Sequence, residues 1–451
     1  MSPGTGFRVL LGEGVLAVRD RALDRLAEAR RRRSFRRARA EWRADCPVLT
    51  VGAYPPAPRF GGVQAQWMNR LAAEEALRPV ASLYPDDKGD GGYRLEVSTG
   101  PGGERRALHY PGRFPAPRAL RDPDFEDAVA WAAERVGARA LQVEGAAGLP
   151  PASLLRLAQD GLPLVLALHD FALFCPRPHL LEEPFRRFCG YCRDLSRCAA
   201  CLGEAPELQA RWREAGSALL AAATAVVFPS AFLERTHAEL FGPLAAGPST
   251  GSQVIPPAIL MPGVLPGAAP AGPIRHLALV GGVQAHKGAE VFREIVEQLA
   301  AAGRTDLSWS AYGGGDPALL ARLRHLGGRS QVRVRGYYRT GSLPRLLRRD
   351  RVDLALLPSI VPESFSLVLS ECRAAGVPVL AFDLGAVGER LRAEGGGLVV
   401  PLAEGAAGMA ALAAAVGRGE RIIPPLAAGA EPSPREIAGR WLSLYRDLGF
   451  T

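Results

Sequence analysis

The stretch PSIVPESFSLVLSECRAAGVPVLAF, residues 358–382, contains the pattern that most strongly constrains the fold. An apolar strand is predicted to end at Ser359, a loop carries Glu363, and an amphipathic helix that holds Glu371 starts near Ser364. The first turn of a helix presents free N–H groups and a positive dipole end, which suits a phosphate. Glu363 then precedes the helix and Glu371 lies about two turns inside it, so the carboxylates can contact different parts of one elongated ligand. The alternative is a surface loop with two solvated glutamates.

The rest of the chain repeats this alternation of strands and helices on both sides of a segment rich in Pro and Gly, residues 259–273, which is predicted to be a linker. Near-continuous apolar runs are typical of parallel strands that are covered on both faces. One Rossmann-like domain is therefore predicted at residues 46–258 and a second at 274–430, followed by a helix at 431–451. Residues 86–115 are predicted to form a hairpin instead. The fold class is α/β, with two doubly wound domains facing each other across a cleft.

The overall composition is that of a soluble globular protein. The chain has 451 residues, which exceeds one ordinary core and also favours two domains. Apolar residues make up 48% and charged residues 22%. No run approaches the roughly 20 apolar residues needed to span a bilayer, and no secretory signal peptide is recognisable. We therefore expect a cytoplasmic protein, in which closely spaced cysteines more often bind metal than form disulfides.

Positive charge is concentrated at the N-terminus. The formal net charge is +9, and residues 1–45 hold twelve arginines against six acidic residues, so +6 of it lies there. Within residues 17–44, the stretch EARRRRSFRRARAEWR is predicted to form a basic helix with a narrow apolar stripe. This extension is either a solvated arm or a peripheral contact with the anionic inner face of the membrane, where each basic residue adds about 1 kcal/mol. Nucleic-acid binding is disfavoured because no recognition motif accompanies the arginines.

A second segment with chemical significance is LALVGGVQAHKGAEVF, residues 277–292, in which a strand leads through a glycine turn to Lys287 and a helix. Lys287 is one of two lysines, the other being Lys88, among 55 basic residues. In a chain so rich in Arg, this lysine suggests that a compact ammonium group is required. A fixed cation here would stabilise the charge that develops on a departing diphosphate. Dinucleotide binding is a weaker interpretation because the GxGxxG spacing is absent.

A histidine follows a buried strand in the first half of the chain. His169 and Asp170 come at the end of the run LVLALHDF, residues 164–171, where α/β domains bind their ligands. A lone histidine is more often structural, but the position at a strand end favours a role in a site. Asp170 either orients the imidazole or caps the following turn.

Together these segments resemble the retaining, nucleotide-sugar-dependent glycosyltransferases of family 4, which have the GT-B fold. The likeness rests on Glu363 and Glu371, separated by seven residues, and on the segments VVFPSAFLERTHAELFG and QVIPPAI. It also rests on the glycine-rich segments FDLGAVGERLRAEGGGLVVP and YPPAPRFGGVQAQWMNRLAAE. The resemblance covers most of the chain after residue 46. It implies that Glu363 and His169 contact the donor sugar and that Glu371 binds the nucleotide ribose.

The resemblance also implies a set of residues around the donor. The predicted catalytic residues are His169, Lys287 and Glu363, and the predicted donor-binding residues are Gly61, Gly62, Gly281, Gly282, Tyr337, Ser364, Phe365, Ser366 and Glu371. The paired glycines would let the backbone approach the donor phosphates, and Tyr337 or Tyr338 would stack on the base. One departure is that Gly282 stands where family members often carry Arg. Arg339, Arg345 or an arginine of the first domain would have to replace that charge.

Four of the seven cysteines lie in FCGYCRDLSRCAACL, residues 188–202, and Cys175 lies upstream, which defines a Cys-rich insert at residues 175–202. Spacing alone pairs Cys189 with Cys192 and Cys198 with Cys201 in a tetrahedral zinc site. The resemblance instead implies Cys175, Cys189, Cys198 and Cys201, as in a branch of the family that acts in surface-polysaccharide assembly. Four thiolates leave no open position, so a zinc ion would be structural. Unmetallated thiols and an iron–sulfur cluster are the alternatives.

These observations predict a retaining glycosyltransferase that moves a hexose from a nucleoside-diphosphate sugar to a glycan or lipid-linked glycan. Protein groups would hold the phosphates, so no catalytic metal is expected. Other enzymes of the same fold, an epimerase or a phosphorylase, are one alternative. A nucleotide-sugar-binding subunit without turnover is a second, and Gly282 keeps it open. A zinc-dependent nucleic-acid binder is a third, weakened by the absence of base-reading residues.

Overall fold

The structure is a computed structural model that describes residues 44–56, 62–86, 91–242, 251–259, 273–326, 331–339, 341–427, 429 and 431–450. Gly61, residues 17–43 with the predicted basic helix, and most of the predicted linker at 259–273 lie outside these ranges. Within the described ranges, no helix combines the length and the apolar character needed to cross a membrane.

The first domain is built on an eight-stranded sheet. Its strands are β1 Val48–Val51, β2 Val80–Pro85, β3 Tyr93–Ser98, β4 Arg105–Tyr110, β5 Ala140–Glu144, β6 Leu164–Ala167, β9 Ala225–Phe228 and β10 Ser252–Val254. The short pair β7 Leu181–Glu182 and β8 Arg187–Phe188 lies apart, in the Cys-rich insert. The strand order in the large sheet is β10-β9-β6-β5-β1-β2-β3-β4. In this order, the six strands from β10 through β2 are parallel to one another. Strands β3 and β4 are antiparallel and form the hairpin predicted at residues 86–115.

Helices cover both faces of this sheet. They are α1 Gly62–Glu75, α2 Pro123–Val136, α3 Pro151–Gln159, α4 Leu195–Leu202, α5 Pro206–Ala222 and α6 Ala231–Phe241. Because both faces are covered, every residue of β1, β5, β6 and β9 is buried, which explains their near-continuous apolar sequences. The hairpin strand β4 lies at the edge of the sheet, and most of its residues are exposed.

The second domain contains a six-stranded parallel sheet with the order β13-β12-β11-β14-β15-β16. The strands are β11 His276–Val280, β12 Ser308–Tyr312, β13 Val332–Gly336, β14 Leu354–Leu357, β15 Val379–Phe382 and β16 Gly397–Val400. The helices are α7 Ala289–Ala301, α8 Pro317–Arg324, α9 Leu343–Arg349, α10 Leu367–Ala375, α11 Gly385–Glu394 and α12 Gly405–Gly417. Two doubly wound α/β domains were predicted, and the two sheets confirm that fold class.

The last helix, α13 Pro434–Asp447, returns from the second domain to the first. It begins with a capping box between Ser433 and Glu436. Its buried face, which includes Ile437 and Trp441, packs with β-strand residues of the first domain such as Val165 in one apolar cluster. The first domain is therefore completed by residues that follow the whole of the second.

The helix α10 begins later than the sequence predicted. It starts at Leu367 rather than near Ser364, so Glu371 lies about one turn inside it and not two. The reason is the backbone of Ser366, whose φ of 73° is outside the right-handed helical region. Residues 363–366 therefore form an extended loop before the helix.

Candidate active site

The loops that follow β11 and β14 define the centre of the site in the second domain. These two strands are neighbours, and the chain builds the sheet outward from them in opposite directions, with β12 beside β11 and β15 beside β14. Ligands of doubly wound sheets bind at the carboxyl ends of strands where the order reverses in this way. Lys287 follows β11 and Glu363 follows β14, so both predicted residues lie at this position.

The turn that carries Lys287 is fixed to the neighbouring loop. The backbone oxygen of His286 accepts hydrogen bonds from Ser359 Oγ and from the backbone N–H of Ile360, each at 3.0 Å. Gly288 has a φ of 75°, and a Cβ atom there would lie 1.8 Å from the backbone oxygen of Pro358. Only glycine fits such a close approach. The start of α7 can therefore pack directly against the residue that follows β14.

Lys287 and Glu363 form an ion pair, with Nζ 3.0 Å from Oε2. The lysine side chain is 33% exposed and the glutamate side chain 13%, so the ammonium remains accessible from the cleft. Glu363 is held by the glycine-rich turn before α11. Its backbone oxygen accepts from Ala386 N–H at 2.9 Å, and a Cβ at Gly385 would lie 2.7 Å from its nitrogen.

The loop before α10 is held in place by Arg390. The guanidinium lies over the Phe365 ring at 4.0 Å from its centre and donates to the backbone oxygen of Phe365 at 3.2 Å. It also donates to the Ser370 hydroxyl, which is buried at the base of the loop. The positive φ of Ser366 is a strained conformation that these contacts support. The first N–H groups of α10 follow directly after this loop, and the N-cap side chain of Ser366 does not accept from them.

Glu371 is a buried carboxyl beside the loop that follows β13. It is 5% exposed, and its Oε1 accepts from the backbone N–H of Gly341 at 3.0 Å. Burial raises the pKa of Glu371 to about 7, although the hydrogen bond from Gly341 opposes the shift. The carboxyl therefore changes its charge close to neutral pH.

Tyr337 and Tyr338 differ in their surroundings. Tyr337 is 80% exposed, and its ring covers Gly314, where a Cβ would lie 2.0 Å from the ring. Tyr338 packs against the apolar cluster of the second domain, and burial beside Glu371 raises the pKa of its hydroxyl. Both tyrosines line a cavity of about 350 Å³ together with Arg335, Arg339 and Arg349.

The predicted glycines lie at the ends of elements. Gly62 is the first residue of α1, and its Cα faces open space. Gly281 and Gly282 follow β11, and Gly281 has a φ of 109°. The backbone of Gly281 approaches Gly313 so closely that a Cβ on Gly313 would lie 1.8 Å from the Gly281 oxygen.

His169 lies in the first domain, two residues after β6, and is 6% exposed. Its Nε2 is 3.0 Å from Oε1 of Glu144, and its Nδ1 is 3.0 Å from Nε2 of Gln66. Asp170 does not orient the imidazole. Its carboxylate caps the following turn by accepting from Ala172 N–H at 2.8 Å, which is the second of the roles that the sequence left open.

Among the described residues, three kinds of contact join the two domains across the cleft. Ser230 Oγ donates to the backbone oxygen of Ser364 at 2.6 Å. Arg235 of α6 pairs with Glu389 of α11 at 2.6 Å. The third contact is a stack of two imidazoles, His179 and His286, with centres 4.2 Å apart and planes 8° apart.

The stacked pair brings the Cys-rich insert next to Lys287. Burial lowers the pKa of His286 to about 3, and the neighbouring His179 and Lys287 add to the shift, so His286 is neutral at physiological pH. His179 was not predicted as a site residue, because it stands in a Pro-rich loop without a recognisable motif.

The five cysteines of the insert line one small cavity. Burial raises the pKa of the Cys175 thiol to about 11, and neighbouring Cys189, Cys198 and Cys201 add to this effect. Cys198 Sγ accepts from Arg213 at 3.4 Å, and Cys201 Sγ accepts from the backbone N–H of Glu183 at 3.3 Å. Across the described residues, no group of three or more His, Cys, Asp or Glu side chains is placed to hold a metal ion.

Comparisons with known proteins agree with this architecture. Residues 274–418, which span most of the second domain, match the family described as Glycosyl transferases group 1. No curated protein matches the chain in sequence.

Several solved structures share the fold. Sucrose-phosphate synthase from Thermosynechococcus elongatus is 19% identical with a TM-score of 0.60, and the match covers 90% of this chain and 98% of that one. The pneumococcal O-GlcNAc transferase GtfA, in complex with UDP and GlcNAc, is 10% identical with a TM-score of 0.54, covering 89% and 99%. An α,α-trehalose-phosphate synthase (UDP-forming) from Burkholderia vietnamiensis is 14% identical with a TM-score of 0.52, covering 91% and 98%.

The two facing domains, the returning helix and these structural matches define the class: the chain has the GT-B fold. With the family match over the second domain, the protein is a glycosyltransferase.

Proposed function

We propose that the protein is a retaining glycosyltransferase that transfers a hexose from a nucleoside-diphosphate sugar to a glycan or lipid-linked glycan. The observation that carries this proposal is the Lys287–Glu363 pair, with 3.0 Å between Nζ and Oε2, placed where the loops after β11 and β14 meet. The nucleotides in the names of the similar structures, UDP in GtfA and in the UDP-forming trehalose-phosphate synthase, support a uridine nucleotide as the first donor to test.

The proposed chemistry starts from the ion pair. A bound diphosphate competes with Glu363 for the ammonium of Lys287 and also accepts from the free N–H groups at the start of α10. Glu363 is then released to accept hydrogen bonds from hydroxyl groups of the donor sugar. As the glycosidic bond breaks through an oxocarbenium-like state, negative charge moves onto the diphosphate and is stabilised by these preorganised groups.

Glu371 is proposed to bind the nucleotide ribose. Its buried position beside the Gly341 backbone suits a fixed acceptor, and the neighbouring cavity beside Tyr337 and Tyr338 suits a nucleobase. Two of the three arginines that line this cavity, Arg335 and Arg339, are candidates to supply the positive charge that is missing at Gly282. Arg345, in α9, is a further candidate.

We also propose a structural zinc ion in the Cys-rich insert and membership of the branch of family 4 that acts in surface-polysaccharide assembly. The support for zinc is that the five thiols of the insert line one small cavity, which therefore includes the four implied by the family resemblance, Cys175, Cys189, Cys198 and Cys201. Residues 17–44, outside the described residues except for Ala44, are proposed to contact the anionic cytoplasmic face of a membrane, which is where lipid-linked acceptors would be found.

The experiment that tests the proposed function has two stages. A thermal-shift screen with UDP, GDP, ADP and their sugars should identify the donor. Transfer to glycan acceptors is then measured for wild type and Glu363→Gln, and we expect the variant to keep nucleoside-diphosphate affinity and lose most of the transfer. The anomeric configuration of the product reports whether the configuration is retained.

Other outcomes would overturn the proposal. Unchanged turnover of Glu363→Gln would remove Glu363 from the site. Release of sugar 1-phosphate on addition of phosphate would indicate a phosphorylase, and isomerisation of the donor sugar would indicate an epimerase. Tight donor binding without any product would indicate a binding subunit.

A further inference from the structure

Both ring nitrogens of the His169 imidazole have a side-chain partner, and the two partners differ in kind. Glu144 is the last residue of β5, and its register partner on the neighbouring parallel strand is Ala167, two residues before His169. The sheet therefore places the Glu144 carboxylate beside Nε2, at 3.0 Å. The partner of Nδ1, also at 3.0 Å, is the amide of Gln66 on α1.

Glu144 is ionised in this position. Burial opposes its ionisation, but the charge of Arg70 and the hydrogen bond from His169 outweigh burial and lower the pKa of Glu144. Arg70 donates to Oε2 of Glu144 at 2.8 Å, and Gln142 donates to the same oxygen at 3.2 Å. A carboxylate only accepts hydrogen bonds, so the proton must lie on Nε2 of His169. In the tautomer with this proton on Nε2, Nδ1 carries a lone pair, which can accept from the Gln66 amide.

The two sides of the ring also differ in access. Glu144 is 3% exposed, and the Nε2 side is therefore closed. Gln66 is only half-buried and lies on the helix that begins at Gly62, beside the predicted donor site. A ligand can displace the Gln66 amide from Nδ1, whereas the Glu144 carboxylate is held by Arg70.

We infer that Glu144 is a positioning residue that holds His169 in the Nε2–H tautomer, so that Nδ1 accepts a hydrogen bond from a hydroxyl of the donor sugar in place of Gln66. This inference rests on the proposed function, in which His169 contacts that sugar. It names the direction of the hydrogen bond: the sugar hydroxyl donates and the imidazole accepts.

The structure offers a matched control in Glu74. The Glu74 side chain is fully buried, at 0% exposed, and pairs with the same Arg70. Unlike Glu144, it has no contact with His169. Glu144→Gln and Glu74→Gln each remove one negative charge from the partners of Arg70. Only the first replaces the obligate acceptor at Nε2 with an amide that can donate instead.

The test compares transfer and histidine tautomers in the full chain. With the best donor, Glu144→Gln should lower kcat by about 10- to 100-fold, the scale seen when a carboxylate that orients a metal-bound histidine is lost, with unchanged affinity for the nucleoside diphosphate. Glu74→Gln should stay within about threefold of wild-type kcat. Glu144→Asp should recover part of the loss.

Two further readouts separate positioning from general damage to the fold. In a series of deoxy-sugar donors, the ratio of wild-type to Glu144→Gln activity should fall toward one for the donor that lacks the contacted hydroxyl. Nitrogen-15 spectra of histidine-labelled protein, assigned with His169→Gln, should show the Nε2–H tautomer in wild type and a mixture in Glu144→Gln.

The inference would be overturned if Glu144→Gln and Glu74→Gln lowered kcat equally, or if His169 of the wild-type protein carried its proton on Nδ1. Unaltered kcat in Glu144→Gln would do the same. If Glu144→Gln does not fold, Glu144→Asp, whose shorter side chain draws the carboxylate back from Nε2, should still lower kcat more than Glu74→Gln does, and the wild-type spectra still report the tautomer. Absence of transfer by wild type from every donor would refute the proposed function, and with it the hydroxyl contact, while the spectra would still report whether Glu144 fixes the tautomer.

Discussion

Glu371 is a residue at which stability and ligand binding are opposed. Its folded-state pKa of about 7 lies above the ordinary value of 4.5, so the folded protein holds a proton that the unfolded chain has lost between these two values. The contribution to stability is therefore fully present below about pH 4.5 and lost as the pH rises to about 7. Ionised Glu371 at higher pH costs roughly 3 kcal/mol of the free energy of unfolding.

Glu371→Gln should remove this cost and the nucleotide contact together. We expect the variant to be more stable than wild type at pH 8, with a difference that shrinks as the pH falls toward 4.5. Wild-type nucleotide affinity should decrease below about pH 7, because the protonated carboxyl is a weaker acceptor, and the variant should bind weakly at every pH. Urea unfolding and calorimetric titration across this range measure both effects.

Glu290 provides the control of opposite sign. Burial opposes its ionisation, but hydrogen bonds from Arg293 and Arg322 outweigh burial and lower the pKa of Glu290. Glu290→Gln should therefore be less stable than wild type at neutral pH and bind nucleotide normally. The assignment of Glu371 to the ribose is wrong if its Gln variant keeps wild-type affinity.

Lys287→Ala should lower turnover by roughly 10²-fold or more, the usual scale for losing one preorganised group that stabilises transition-state charge. Lys287→Arg should recover only part of the activity, because a guanidinium differs in shape and hydration from an ammonium. Lys88→Ala, at the only other lysine, is the matched control. Steady-state kinetics with saturating donor distinguish the three variants, and full activity in Lys287→Arg would contradict the requirement for a compact cation.

At the residue scale, local sequence patterns singled out Lys287 and Glu363 but not Glu144, Gln66 or Arg70. Lys287 and Glu363 follow strands in recognisable segments, and the structure places them 3.0 Å apart. Glu144 also ends a strand, in LQVEGA, and a charged residue at that position was a signal that could have been used. Gln66 and Arg70 lie on a helix with no motif of their own. Their contacts depend on the tertiary packing of distant segments, which residue spacing does not encode.

Among the elements, strands were easier to predict than helix starts. The apolar runs of β5, β6 and β14 mark buried parallel strands without ambiguity. The start of α10 was misplaced because Ser364 is an ordinary N-cap residue by type. The actual N-cap, Ser366, takes a strained backbone conformation that depends on Arg390, far along the chain. Local propensity cannot anticipate a conformation imposed by a distant side chain.

The Cys-rich insert allows two ligand sets to be tested against each other. If the resemblance is right, Cys175→Ser should release zinc and Cys192→Ser should not; the spacing of the cysteine pairs predicts the reverse. Elemental analysis of the purified wild-type chain should give about one zinc per chain. Loss of zinc should also lower the midpoint of thermal unfolding, because a small lobe depends on its metal for folding energy.

Cys372→Ser is a suitable control for these variants, because this buried free thiol belongs to the core of the second domain. It should leave the zinc content unchanged whatever it does to stability. Metal-free wild-type protein with full activity would contradict both ligand sets and leave the five cysteines as reduced thiols. The contact between His179 and His286 predicts that any loosening of the insert also alters the surroundings of Lys287.

On the scale of the whole molecule, the basic extension gives a separate prediction. Deletion of residues 1–43 should leave transfer to a soluble acceptor intact and reduce sedimentation with vesicles that contain phosphatidylserine. High salt should weaken wild-type binding to the same vesicles, because screening shortens the range of the attraction. Neutral phosphatidylcholine vesicles are the control. Equal sedimentation of the deleted and full chains would show that the extension is a solvated arm.

The return of α13 to the first domain has a consequence for how the protein is made. Strands β1 to β10 leave the ribosome first, but the apolar face that Ile437, Trp441 and Leu444 cover stays open until the entire second domain has been synthesised. At about 5–20 residues per second, the roughly 180 residues between β10 and α13 take about 10–40 s to translate. During that interval the nascent chain leaves exposed the part of this apolar face that α13 later covers, and transiently exposed apolar surface of this kind is what chaperones bind. Synonymous codons that slow translation between these two elements would lengthen that exposure and lower the yield of folded enzyme without changing one amino acid.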